Sequence, residues 1–154
     1  KLKFNQVLLP NVGRESHTFL HHLFLGDDAD RVAFVQGSPK DHCHNLMDLL
    51  HSDKVDIPLG NLMWCDKYGL PHTTILEVES IHLSLFGKQR ETYLFSQGAQ
   101  HILSKETLNK RSRIFWKRCL ELLLEDGKIF TRGHEFERSW GYIFDLEYAT
   151  RSYY

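Results

Sequence analysis

The spacing of apolar residues changes repeatedly along this chain, and that change constrains its fold more than any single motif does. Continuous or alternating apolar runs, which suit strands, are interleaved with runs at helical spacing. Interleaving of this kind belongs to an α/β layer architecture, in which helices cover a sheet. Residues 4–9 (FNQVLL) read as a first strand that ends at Pro10. Residues 31–36 (RVAFVQ) read as a short second strand with the apolar centre of a buried position. Between them, Phe19, Leu20, Leu23 and Phe24 share one face of a helix expected over 14–25.

The next helix has a legible start. Ser38 stands as N-cap, Pro39 at the first helical position and Asp41 three residues after the serine, an approximate capping box. Leu46, Met47, Leu49 and Leu50 supply its buried side. Residues 52–72, with Pro58, Gly60, Gly69 and Pro71, read as a long loop, and 73–86 as extended structure. A short strand is expected over 99–103, after which Ser104 caps a single turn. Ser112 opens the best-defined helix, with Ile114, Phe115, Cys119, Leu122 and Leu123 on one side and Asp126-Gly127 closing it. The last helix covers 134–146, where Phe136, Trp140, Ile143 and Phe144 recur at helical spacing.

A chain of 154 residues fits one domain over 1–154. A net charge of −1 argues against a nucleic-acid backbone as partner, because such binders carry a basic face. The one basic run, Lys110-Arg111-Ser112-Arg113 with Lys117 and Arg118, reads as a solvated helix face. No apolar run reaches the ~18 residues of a membrane span. Cys43, Cys65 and Cys119 form no CxxC pair. The chain opens at Lys1, which reads as a piece of something longer.

Four segments hold polar residues beyond what their elements require. Asn11-Val12-Gly13-Arg14 leads into a helix start, where Gly13 permits close backbone approach and Arg14 can grip a phosphate or carboxylate. Gln36 and His42 lie at the exit of the second strand, the end at which open α/β sheets bind ligands. Asp41 and His42, with His44, could contribute to a metal site, although ligands on successive residues of one helix diverge. Gln100 sits beside small residues in Gln97-Gly98-Ala99-Gln100-His101. In Gly133-His134-Glu135-Phe136-Glu137-Arg138-Ser139-Trp140, a glutamate off the apolar stripe could take a proton from a hydroxyl. Each segment also has a purely structural reading: a strand-to-helix turn, a helix start, a strand entry and an acidic first turn.

Taken in order, LPNVGRE, HTFLHH, FVQGSPKDH, GAQHILSKE, RSRIFWKRCLELL and HEFERSWGYIF resemble a glycosyltransferase-like family, domain of unknown function 3431, over about residues 7 to 145. That family is similar to GT-A nucleotide-sugar transferases. The resemblance implies a Rossmann-like, GT-A-type three-layer sandwich, incomplete at its N-terminus, with the donor at the strand C-termini. It implies transfer of a sugar from a nucleotide-sugar to a carbohydrate or other hydroxyl acceptor, in the secretory lumen or outside the cell. Asn11, Gly13, Arg14, Gln36, Ser38 and His42 would line the donor side, and Gln100, His134, Arg138 and Trp140 the acceptor side or cleft. Glu137 would be the base, with Glu135 as the alternative. GT-A enzymes place an acidic metal-binding motif at this strand exit, where this chain has Gln36-Gly37-Ser38, so dependence on Mn or Mg stays open. Two other readings remain beside it: a non-catalytic carbohydrate-binding or interaction domain on the same scaffold, and a metal-dependent hydrolase.

Overall fold

A computed structural model describes residues 7–69, 76–125 and 128–150. It is a mixed α/β structure with two small antiparallel sheets. Strands β1 (Arg31–Phe34), β5 (His101–Ser104) and β2 (Ile57–Pro58) form one sheet in the order β1-β5-β2. Phe34 of β1 and Pro58 of β2 both register with His101. Strands β3 (Leu62–Asp66) and β4 (Thr92–Ser96) form a separate ribbon, with Cys65 opposite Tyr93. Every strand pair among the described residues is antiparallel, so the parallel sheet expected of a Rossmann-like core is not among them.

Among the described residues, seven α-helices surround these strands: α1 (Glu15–Leu25), α2 (Leu46–His51), α3 (Val78–Phe86), α4 (Lys105–Asn109), α5 (Arg113–Leu123), α6 (Ile129–Ile143) and α7 (Glu147–Thr150). The main core lies between α1, α5, α6 and the inner face of the first sheet, and includes Phe19, Leu20, Phe34, Leu103, Trp116, Leu123, Phe136, Trp140 and Phe144. Trp140 is wholly buried, stacked on Phe144 at 5.1 Å and tilted against Phe136 at 5.6 Å. Aromatic packing of this kind adds roughly 0.5–1.5 kcal/mol per pair beyond the area buried.

Several expectations are corrected. Residues 4–6 lie outside the described residues, and 7–9 form no strand, with Leu8 fully exposed. The expected loop 52–72 contains β2 and β3 up to Asp66. Pro58 is tolerated because β2 is an edge strand that pairs on one side only. Residues 78–86, read as extended, are helix α3. Val78, Ile81, His82 and Leu85 turn inward at helical spacing, and Gly87 (φ 66°) ends the helix in the left-handed conformation. Residues 73–75 and the Asp126-Gly127 pair lie outside the described residues.

The helix expected from Ser38 is broken into a 3₁₀ turn over Pro39–Asp41 and α2, and the Ser38 side chain makes no cap hydrogen bond. Ser104 and Ser112 do cap, accepting from the Thr107 and Phe115 N–H groups. Ile114 is exposed and Trp116 takes the buried place on α5. The basic run is partly occupied: Arg111 lies over the Phe86 and Phe115 rings and Arg113 over Phe24. All three cysteines are free and buried.

Two buried histidines make the fold sensitive to acid. His101 lies on the central strand, with Nδ1 3.2 Å from the Ala99 carbonyl and Nε2 2.7 Å from the Tyr148 hydroxyl. His82 is packed between the Tyr93 and Tyr142 rings. Burial pushes both imidazoles down from 6.5 to about 4. A depressed folded value means that the unfolded chain takes up protons first. The stability from these groups is therefore complete above the unfolded value and is lost as pH falls from about 6.5 towards 4. The loss should be on the order of 3 kcal/mol for each histidine. Urea denaturation at a series of pH values should show this fall, and His82→Phe should make it shallower.

Candidate active site

Two glycines seat the start of α1, Gly133 letting α6 approach it and Gly13 lying against α5. A Cβ on Gly133 would stand 2.9 Å from the Gly13 carbonyl oxygen, and one on Gly13 (φ 62°) would strike the Leu123 side chain at 2.7 Å. Ser16 donates to the Gly133 carbonyl across the same crossing. The approach places Arg14, at the N-cap of α1, beside His134 of α6. The Arg14 Nη1 is 3.0 Å from His134 Nδ1 and 2.9 Å from Nε2. Arg14 has φ 57° and ψ −146°, backbone angles that are costly for a residue with a side chain.

One turn further along α6, Glu137 accepts from the Gly98 N–H through Oε1 at 2.7 Å. Its Oε2 is 3.4 Å from Arg138 Nη1 and 3.7 Å from His134 Nδ1. Gly98 (φ 74°) and Ala99 (φ 57°) form a left-handed pair in the turn between β4 and β5. A Cβ on Gly98 would fall 2.7 Å from His42 Cδ2, so His42 lies against the backbone that holds Glu137. Gln100, fully buried, clasps the strand exit to this turn. Its Nε2 donates to the Pro39 carbonyl at 3.1 Å, and its Oε1 accepts from the Gln36 N–H at 3.4 Å.

Arg14, His134, Glu137, Gly98, His42, Gln100 and Gln36 thus form one connected strip built from four segments. Burial first, and then the Arg14 guanidinium, hold the His134 imidazole below the ordinary histidine range, while Glu137 pulls the other way. The charged groups around it are Arg14, Glu137 and Arg138.

The remaining expected residues play other parts. Glu135 is buried and faces α3, where it pairs with Arg132 at 2.7 Å and accepts from the Glu77 N–H at 2.8 Å. Arg138 is buried over the Phe95 ring and donates to the His134 carbonyl, so it positions the helix. Trp140 belongs to the core, and Gln100 acts as a buried clasp. Asn11 and Ser38 are exposed, and the Ser38 carbonyl accepts from Gln36 Nε2. Sequence reasoning took the small residues at Gly98-Ala99 as room for close approach to a polar ligand or a tight strand entry, and gave Gly133 no role. Their only signal was a glycine beside polar residues in each segment.

Asp41 ends the 3₁₀ turn and His42 starts the chain leading to α2. Among the described residues, no group of three or more His, Cys, Asp and Glu side chains is placed to hold a metal ion. No helix among them is long and apolar enough to cross a membrane. No family model, curated protein or solved structure matches the chain.

Gly98→Ala tests the turn. The left-handed backbone there costs a side chain about 1–2 kcal/mol, and the added methyl must displace the His42 ring. Urea denaturation should show a loss of about that size, with the His42 ring resonances moved.

Proposed function

We propose that this chain is a glycosyltransferase-like domain, related to the family whose motifs it resembles. On this reading it transfers a sugar from a nucleotide-sugar to a hydroxyl acceptor. The observation that carries the reading is the meeting of Arg14 and His134, 120 residues apart in sequence, with Glu137 one helical turn further on. An arginine at a helix start suits the diphosphate of a donor, and Glu137 can take a proton on Oε2, whose contact with Arg138 Nη1 is long at 3.4 Å. In the reaction the acceptor oxygen bonds to the anomeric carbon as the bond from that carbon to the diphosphate oxygen breaks. The acceptor proton passes to Glu137, and the negative charge of the departing nucleoside diphosphate rests beside Arg14 and nearby backbone N–H groups. Gln36 and His42 line the donor side. The scaffold in this reading is GT-A-like.

A second reading is a non-catalytic carbohydrate-binding domain on the same scaffold. It is favoured by one observation: both Glu137 oxygens already have partners, Gly98 N–H on one and Arg138 on the other.

A thermal-shift screen against nucleotide-sugars and free nucleotides, with and without manganese, separates these readings. A donor at ~100 times its dissociation constant stabilises the fold by roughly 2.7 kcal/mol. The transferase reading expects a shift with a nucleotide-sugar that Arg14→Met removes, and product formation that Glu137→Gln lowers by about a hundredfold or more. No shift with any nucleotide from a cooperatively melting chain contradicts donor binding. A donor shift without product contradicts catalysis and favours the binding domain.

A further inference from the structure

We propose that the outer edge of β1 is a peptide-docking site. It takes an extended segment of a partner protein as an added strand, with apolar residues at alternate positions and a basic end. This does not depend on the chain being a transferase.

Among the described residues β1 is an edge strand: β5 pairs with one side of it and no strand with the other. Alternate backbone N–H and C=O groups of β1 therefore point outward. Proteins usually guard such an edge with lysine, proline or an inward charge. This edge, Arg31-Val32-Ala33-Phe34-Val35-Gln36, has none of them. Its one charge is turned away, the Arg31 guanidinium donating to the Leu49 and Leu50 carbonyls at 2.8 Å. Ala33 and Val35 are exposed beside it.

The edge also has a floor. Thr18, Phe19 and His22 of α1 line a groove with Val32 and Phe34, the His22 ring standing edge-on to Phe34 at 5.6 Å. Thr18 and His22 also line the next hollow, together with the exposed side chains of Leu8 and Leu25. A strand laid beside β1 would place every second side chain over this apolar groove and the others level with Ala33 and Val35. Main-chain hydrogen bonds then supply affinity, and the alternate side chains supply specificity.

Charge selects the occupant. The turn from α1 to β1 carries Asp27, Asp28 and Asp30, all exposed, to the start of the strand. His22 lies 3.3 Å from Asp27, and Lys105 donates to the Asp28 main-chain carbonyl. Among the described residues no cation pairs with the Asp28 or Asp30 carboxylate. This corner favours lysine or arginine at the adjoining end of the partner and disfavours an acidic end. A second copy of β1 would bring no free cation over residues 31–36, since Arg31 is already held.

The test uses the whole chain and a synthetic peptide of alternating valine and threonine with a lysine at each end. The control peptide has glutamate in place of both lysines. Backbone hydrogen exchange is followed by NMR. With the lysine peptide at ~10 times its Kd, the outward N–H groups of residues 31–35 should exchange about tenfold more slowly, while those bonded to β5 keep their rates. Asp28→Lys together with Asp30→Lys, on the exposed turn, should reverse the preference in favour of the glutamate peptide. No slowing at any soluble concentration of the lysine peptide overturns the inference, as does equal binding of the two peptides. Outward N–H groups already protected in the free chain overturn it too. Protection independent of chain concentration would show the edge paired within the chain, and protection that grows with concentration would show a second copy there.

Discussion

Burial of Trp140 fixes the rotation of α6, and the rest of the molecule is arranged around that helix. Its ring is enclosed by Phe19, Phe136 and Phe144, and α6 packs against α1, α3, α5, α7 and β4. At 100° per residue, Glu135 and Glu137 lie about 200° apart around the axis. Once Trp140 is seated, one carboxylate must face α3 and the other must face the Gly98 turn. That geometry, more than any difference in chemistry, gives Glu135 a buried ion pair with Arg132 and leaves Glu137 near the surface. Breaking such a buried pair from one side costs several kcal/mol, because the survivor is left charged and desolvated. Glu135 is thus a structural residue whose loss would disturb α6 and, through it, the site.

The site itself depends on two close backbone approaches. The first, between Gly13 and Gly133, sets Arg14 against His134; the second, at Gly98, seats His42 over the N–H that binds Glu137. Arg14 and Ala99 both hold left-handed φ at these same places, at a cost of about 1–3 kcal/mol each. Asp56 and Asp145, away from this cluster, hold positive φ as well, so the strain is not particular to it.

The mixed α/β character was legible in the sequence, while the pairing and direction of the strands were not. Gln36 and His42 stood out because their own elements gave them no structural task, while Arg14 and Glu137 each also had a plain surface reading; Glu137, His42 and Gln36 meet around Gly98 and Gln100. Glu135, Arg138 and Trp140 were less legible: neighbours in one motif can point to opposite faces of a helix, and burial is decided by the tertiary rotation. Helix α3 was mistaken for extended structure because Ile81, Leu83 and Leu85 alternate over its second half, while the inward set Val78, Ile81, His82 and Leu85 includes a histidine that masks the period. Strand β2 was hidden by Pro58, which only an edge position allows. The antiparallel pairing of β1 and β2 with β5 joins segments far apart in sequence, and local periodicity carries no information about partner or direction.

The central claim is that α6 gathers Arg14, His134, Glu137, Gly98 and His42 into one binding surface. Backbone amide NMR during titration with uridine diphosphate tests it most directly. The account predicts one contiguous set of shifted amides, at residues 13–16, 36–42, 97–100 and 134–138. Shifts centred instead on the separate cavity between α1 and α5, near His22, Asp27, Arg111 and Arg113, or no shifts at saturating ligand, would contradict it.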